Sequence, residues 1–168
     1  MDTLDAIKAE VAAARRGYDG VVSDLTPEMV NWVPPGVANH IGAMMLHVTQ
    51  AEDNTVNMRL KGDYSIWEGD KWSEKLGVEN GVYATLEGSR TIKFDLDKFK
   101  EYADQVAAST GAYLNSISST DLDRMVQARI GERTVASFLL GIVVGHRLMH
   151  SGEISALKGV QGARGYAI

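Results

Sequence analysis

The sequence lacks cysteine, and this absence limits its chemistry. None of the 168 residues is Cys, which excludes disulfides, thiolate metal ligands and a cysteine nucleophile. Zinc fingers built on cysteine are excluded for the same reason. A chain without disulfides fits a reducing compartment, so we expect a cytoplasmic protein.

Long apolar runs and an excess of positive charge are also missing. No apolar segment approaches the ~20 residues needed to span a bilayer, and the first twenty residues or so lack the apolar block of a signal peptide. Asp and Glu number 22 against 17 Lys and Arg, a net charge of −5, whereas contacts with nucleic-acid phosphates need clustered positive charge. We therefore expect neither a membrane nor a nucleic-acid partner. The length suits one domain over residues 1–168.

Apolar residues recur at i, i+3, i+4 and i+7 in four parts of the chain, which predicts four long amphipathic helices. They are predicted over residues 3–23, 39–60, 95–118 and 135–162. Thr3 and Thr134 are the expected N-caps of the first and fourth helices. A short helix is predicted to start at Pro27, and the prolines of the 31–36 segment end it. With no convincing alternating strands, the pattern indicates an all-α four-helix bundle.

The connection between the second and third long helices, residues 62–92, is unusually long. Glycines interrupt it, and a loop of some thirty residues inside a compact domain is typically functional or contains short helices. We expect one or two short helical turns, one of them over 71–78, at the mouth of a pocket. The shorter connection over 119–134 is expected to contain an extended stretch over 125–130.

The chain has only four histidines, and three of them are candidate metal ligands. His146 and His150 are four residues apart, which places both on one helix face with Cβ atoms about 5–6 Å from each other. His47 lies within an apolar stretch of the second long helix. Three neutral imidazoles facing one bundle axis can share a divalent cation and leave coordination positions open. The same spacing is also typical of ordinary packing histidines, and imidazole ligands alone do not choose among Zn, Ni, Fe, Co and Cu.

Other polar residues near these histidines have weaker signals. His40 lies about 10 Å along the helix axis from His47, given a rise of 1.5 Å per residue, and we expect a structural role for it. Glu153 follows His150 by three residues and either hydrogen-bonds that imidazole or is solvated. The acidic pair at 52–53 is not three or four residues from His47, so neither carboxylate is expected on its face.

Four segments, taken in order, resemble the DinB/YfiT-like superfamily. They are NWVPPG at 31–36, NHIGAMMLHVTQAED at 39–53, GHRLMHSGEISALKGVQG at 145–162 and GARGY at 162–166. The resemblance implies a four-helix bundle in an up-down-down-up arrangement, with His47, His146 and His150 as metal ligands. It also implies nickel or zinc as the metal, and a homodimer.

The function implied by this resemblance is a metal-dependent enzyme that acts on a small-molecule substrate with a low-molecular-weight thiol. The thiol would be bacillithiol, mycothiol or glutathione, and the reaction an S-transfer or an isomerisation. Two alternatives remain at this point: a metal-dependent hydrolase, and a non-catalytic, stress-related bundle that binds a metal or a small ligand. The 62–92 segment departs from the family pattern, so no substrate is carried over, and no catalytic residue beyond the metal ligands is identified.

Overall fold

The computed structural model describes residues 2–82, 85–128 and 131–166, most of them in helices. The α-helices are α1 (Thr3–Val22), α2 (Pro27–Asn31), α3 (Ile41–Asp53), α4 (Ile66–Gly69), α5 (Trp72–Leu76), α6 (Leu86–Thr91), α7 (Leu96–Ser116), α8 (Val135–Phe138) and α9 (Arg147–Val160). A π-helical segment, Asn54–Leu60, continues α3, and a second, Leu139–His146, joins α8 to α9. A 3-10 turn covers Ser119–Asp123, and two strands, β1 (Met125–Gln127) and β2 (Glu132–Thr134), form an antiparallel hairpin.

The four long helices predicted from apolar spacing are present, and each ends within two residues of its predicted bounds. Thr134 caps the fourth helix by accepting a hydrogen bond from the Ser137 amide at 3.1 Å. The predicted cap of the first helix is wrong, because Asp2 rather than Thr3 accepts from the Asp5 amide at 2.8 Å. The structure is mainly helical, as an all-α fold requires, and the up-down-down-up order stays a prediction. In the described part of the chain, no helix combines the length and apolar character needed to cross a bilayer.

The hairpin corrects the expectation that the chain has no strands. β1 falls inside the predicted extended stretch over 125–130, of which residues 129–130 lie outside the described residues. β1 pairs with β2 in the register Met125 to Thr134, and Gly131 beside the turn has a positive φ of 69°. Strands of three residues are too short to show an alternating pattern, which is why the sequence predicted an extended stretch but no paired strands.

The 62–92 connection contains α4, α5 and α6, more than the one or two turns expected. The turn predicted over 71–78 is confirmed as α5. Trp67 and Trp72 lie in the core, with ring centres 5.4 Å and 5.5 Å from that of Tyr102. The connection therefore contributes buried side chains to the core, both tryptophans among them.

Asp53, at the end of α3, anchors the start of this connection. Its buried carboxylate accepts hydrogen bonds from the Ile66 and Trp67 amides and from the Tyr102 hydroxyl, each at 2.9 Å. The two amides belong to the first turn of α4, where backbone donors have no partner within the helix. One carboxylate thus fixes the connection to both α3 and α7.

Glu52 joins all four long helices through one buried carboxylate. The side chain is 1% exposed and accepts hydrogen bonds from Arg15 of α1 at 2.6 Å, Thr110 of α7 at 2.6 Å and Arg147 of α9. Burial alone would raise the pKa of Glu52, but the charges of Arg147 and Arg15 and the hydrogen bonds outweigh it and lower the pKa. Glu52 is therefore ionised in the folded chain, where it offsets two cationic side chains.

We expect acid to remove the stabilisation that Glu52 provides. Because the folded-state pKa lies below the ordinary value of 4.5, the contribution is complete above that value and is lost as the pH falls through the lowered pKa. Urea unfolding of the wild-type chain and of Glu52→Gln, measured from about pH 7 to about pH 3, checks this. The stability advantage of the wild type should shrink in the acid part of the range, and an advantage that stays constant would contradict the expectation.

Candidate functional site: a three-histidine cluster

The three candidate histidines meet at one point between α3 and the fourth long helix. Nε2 of His146 lies 3.1 Å from Nε2 of His47 and 3.0 Å from Nε2 of His150. One ligand atom from each of the three lies within 4.8 Å of the others. The fourth histidine, His40, lies elsewhere: its ring nitrogens are 3.1 Å from the Val30 carbonyl and 2.9 Å from that of Ser89, which fits the structural role expected of it.

These distances fit a shared cation better than a set of hydrogen bonds. Two ligand atoms of a tetrahedral ion with bonds of ~2.0–2.1 Å lie ~3.3–3.4 Å apart. An imidazole nitrogen carries either one proton or one lone pair in its ring plane. Nε2 of His146 therefore cannot make full hydrogen bonds to both neighbours, whereas a cation between the rings would accept all three lone pairs. The three residues fit a divalent metal ion.

The surroundings favour the neutral imidazoles that metal binding requires. Burial, followed by the nearby His150, lowers the pKa of His47. Burial, followed by the charges of His150, His47 and Arg147, lowers the pKa of His146 to about 4. Because these causes disfavour the protonated ring, both imidazoles are neutral at neutral pH.

A contact on its other ring nitrogen sets the orientation of His150. Glu153 Oε2 lies 2.5 Å from Nδ1 of His150, and the Glu153 side chain is 52% exposed. Of the two roles open to Glu153, the structure therefore favours the hydrogen bond to an imidazole, which turns Nε2 of His150 toward the other two rings. Nδ1 of His146 is buried and has no hydrogen-bond partner within the described ranges.

The cluster keeps coordination positions free of protein ligands. Across residues 2–82, 85–128 and 131–166, no Asp, Glu or further His joins the three within ligand distance. A structural zinc site usually has four protein ligands, whereas a catalytic site has three and an open position. The arrangement is therefore the one found in catalytic centres.

Two cavities open beside His47, which lines both of them. The first has a volume of about 440 Å³ and is also lined by Gln50, Asn54, Arg59, Arg133 and Phe138, among others. The second has a volume of about 330 Å³ and is also lined by Asn39, Met44, Thr85, Ser89 and His150, among others. Of the 62–92 connection, α6 and the residue before it, Thr85, border the second cavity. The histidine cluster can therefore be reached from two directions.

Most residues that line the first cavity were not predicted from the sequence. Gln50 and Asn54 follow His47 by three and seven residues, so helical spacing alone could have placed them on its face. Arg133 and Phe138 lie in β2 and α8, and nothing in the sequence relates them to His47. Helical periodicity can therefore predict only the part of the first cavity that lies on the same helix as His47.

Both helices that carry the histidines become π-helical beside the cluster. In the first segment the Lys61 amide donates to the Val56 carbonyl, five residues back, at 3.1 Å. The second segment ends at His146 and contributes Ile142 to the first cavity. π-Helical turns occur frequently at functional sites, because the extra residue redirects the side chains that follow. Both segments contribute residues to the first cavity, which supports a functional role for this region.

The chain is similar to solved structures and to a family model. No curated protein matches the chain. The fold is similar to a crystal structure described as "the conserved protein of locus from Enterococcus faecalis", with a TM-score of 0.81 and 18% identity over 96% of this chain and 99% of that chain. At that identity the likeness shows a shared fold alone. A family model described as the DinB superfamily matches residues 10–154, which confirms the resemblance seen in the sequence. The chain belongs to the DinB superfamily.

Proposed function

We propose that His47, His146 and His150 bind one divalent cation, nickel or zinc, and that the chain is a metal-dependent enzyme. The reaction proposed is an S-transfer or isomerisation that uses a low-molecular-weight thiol. The observation that carries the proposal is the pair of cavities that meet at His47. A reaction between a thiol and a second small molecule needs two binding spaces beside one centre.

The side chains around the cluster have distinct roles in this proposal. When bound, a divalent cation lowers the pKa of a thiol in its open position, so that the thiolate is available at neutral pH. Glu153 holds the proton on Nδ1 of His150 and so presents the Nε2 lone pair. Apolar side chains such as Phe138 and Met44 exclude water from the two cavities, and Asn39 and Ser89 offer hydrogen bonds in the second. In this proposal the chain supplies binding, orientation and a partly dry site.

The alternative functions require other arrangements. A non-catalytic metal site is typically closed by a fourth protein ligand, and among the described residues none joins the cluster. A hydrolase binds one substrate and a water molecule, so one of the two cavities would have no ligand. The missing fourth ligand favours an enzyme over a closed metal site, and the second cavity favours a reaction between two molecules.

A thiol-consumption assay tests the proposal. The chain is loaded with Zn²⁺ or Ni²⁺ and mixed with the electrophile 1-chloro-2,4-dinitrobenzene and, in turn, with glutathione, bacillithiol and mycothiol. At least one thiol should be consumed faster than in the absence of protein, and His146→Ala should remove the acceleration. Absence of acceleration with all three thiols and both metals would contradict the proposed reaction.

A cytoplasmic location, on the basis of the absence of cysteine, and a homodimer, on the basis of the family resemblance, are also proposed. Exposed apolar side chains on the fourth long helix, Leu140, Leu148 and Met149, are 44%, 46% and 56% exposed. A second copy could cover them, which would remove apolar surface from water.

A further inference from the structure

The first cavity beside His47 has a positive lining in a chain that is negative overall. Arg59 comes from the π-helical segment after α3, and Arg133 comes from β2. Both side chains are exposed, and neither forms a salt bridge with an acid in the described ranges. No Asp or Glu from those ranges lines the cavity. In a chain with a net charge of −5, two guanidinium groups that no described acid pairs with, in a cavity lining without a described carboxylate, favour an anion.

Two side-chain amides lie beside the two arginines. Gln50 lines the cavity, is 5% exposed, and its Oε1 has no hydrogen-bond partner in the described part of the chain. An amide oxygen accepts hydrogen bonds, so this atom does not itself attract an anion, whereas an amide N–H group can donate to one. Asn54, one helical turn further on, lines the same cavity with its own amide. The cavity thus combines positive charge with an incompletely bonded polar wall.

We propose that this cavity binds the carboxylate group of a small acidic molecule, and that Arg59 and Arg133 are the residues that recognise it. The proposal rests on the proposed function, because the same molecule would extend to the centre at His47. A guanidinium group binds a carboxylate through two parallel N–H bonds, which gives direction as well as charge. Phe138 and Ile142 line the same cavity and would contact the carbon chain between the carboxylate and the reacting end. The site should therefore prefer an acidic ligand to a neutral one of the same shape.

The test compares two ligands of matched shape, glutarate and its neutral diamide, glutaramide. Each is titrated into the full chain without added metal, so that coordination of a carboxylate to a metal ion cannot contribute, and binding is followed through backbone amide NMR shifts. Glutarate should shift resonances around the cavity, including those of Asn54 and Arg133, and glutaramide should bind about tenfold or more weakly, as expected for lost charged hydrogen bonds.

Variants then identify the residues responsible. Arg59→Gln and Arg133→Gln should each weaken glutarate binding by about tenfold. Arg16→Gln is the matched control, because it removes the same charge from an exposed position on α1 that does not line the cavity; it should leave binding unchanged. The two cavity positions lie on separate elements and are exposed, so at least one variant should keep the fold, which thermal unfolding verifies.

Three results would overturn this inference: equal affinity for glutarate and glutaramide, unchanged binding in both cavity variants, or an equal loss in Arg16→Gln. Tighter binding of inorganic phosphate than of glutarate would also overturn the assignment to a carboxylate.

Zinc binding by the wild-type chain is measured separately. If zinc binds but glutarate does not, only the anion site is refuted. If glutarate binds but zinc does not, only the metal-dependent function is refuted.

Discussion

Replacing His146 with alanine is expected to abolish retention of a divalent metal while leaving the chain folded. Its Nε2 lies between those of His47 and His150, at 3.1 Å and 3.0 Å, so the variant loses the central donor. Removing a partner outside the ligand set typically costs 10–100-fold in metal affinity, and the loss of a ligand should exceed about 100-fold. Elemental analysis of the purified protein and calorimetric titration with Zn²⁺ measure the effect.

Glu153→Gln provides a graded control for this experiment. The substitution keeps a side chain of similar shape beside Nδ1 of His150 but removes the charge, so zinc affinity should fall by about 10–100-fold, less than in His146→Ala. Circular dichroism should show both variants folded, because the apolar faces of the long helices do not depend on the ion. A His146→Ala protein that binds zinc as tightly as the wild type would contradict the role of this residue.

Replacing Glu52 with alanine is expected to lower the free energy of unfolding by about 3–5 kcal/mol, the cost of removing one partner from a buried ion pair. The change leaves the Arg147 side chain, only 5% exposed, without its carboxylate. Arg15 and Thr110 lose their shared acceptor as well. Urea unfolding at neutral pH measures the difference.

A double variant separates the loss of the pair from the loss of one partner. Glu52→Ala combined with Arg147→Met removes the carboxylate together with its most deeply buried cation, so it should be more stable than Glu52→Ala alone. Arg15 also loses the carboxylate, but its side chain is 25% exposed and can be solvated. If Glu52→Ala has the same stability as the wild type, Glu52 does not connect the helices as described.

The parts of the fold that the sequence predicted are those set by local periodicity. The four long helices follow from apolar spacing, and the pairing of His146 with His150 follows from a separation of four residues on one of them. That His47 comes to the same point depends on how two helices pack. The sequence indicated it only through an apolar context and the resemblance to a known family.

The parts that the sequence did not predict depend on partners distant in the chain. From the sequence alone, Glu52 resembles any acidic residue on a helix surface. Its burial is explained by its partners Arg15, 37 residues away, and Arg147, 95 residues away. A π-helical turn contains an extra residue compared with an α-helical turn. The side chains after residue 54 therefore point in directions that a regular helical wheel does not give. Arg133 reaches the cavity through a hairpin of three-residue strands, which is too short to leave a pattern in the sequence.

The most direct measurement is a crystal structure of the zinc-loaded chain, with diffraction data collected at the zinc absorption edge. We expect one anomalous peak per chain, ~2.0–2.1 Å from Nε2 of His47, His146 and His150, with at least one coordination position not filled by the protein. Absence of a peak at this point, or a peak bound by only one of the three imidazoles, would contradict a shared metal centre.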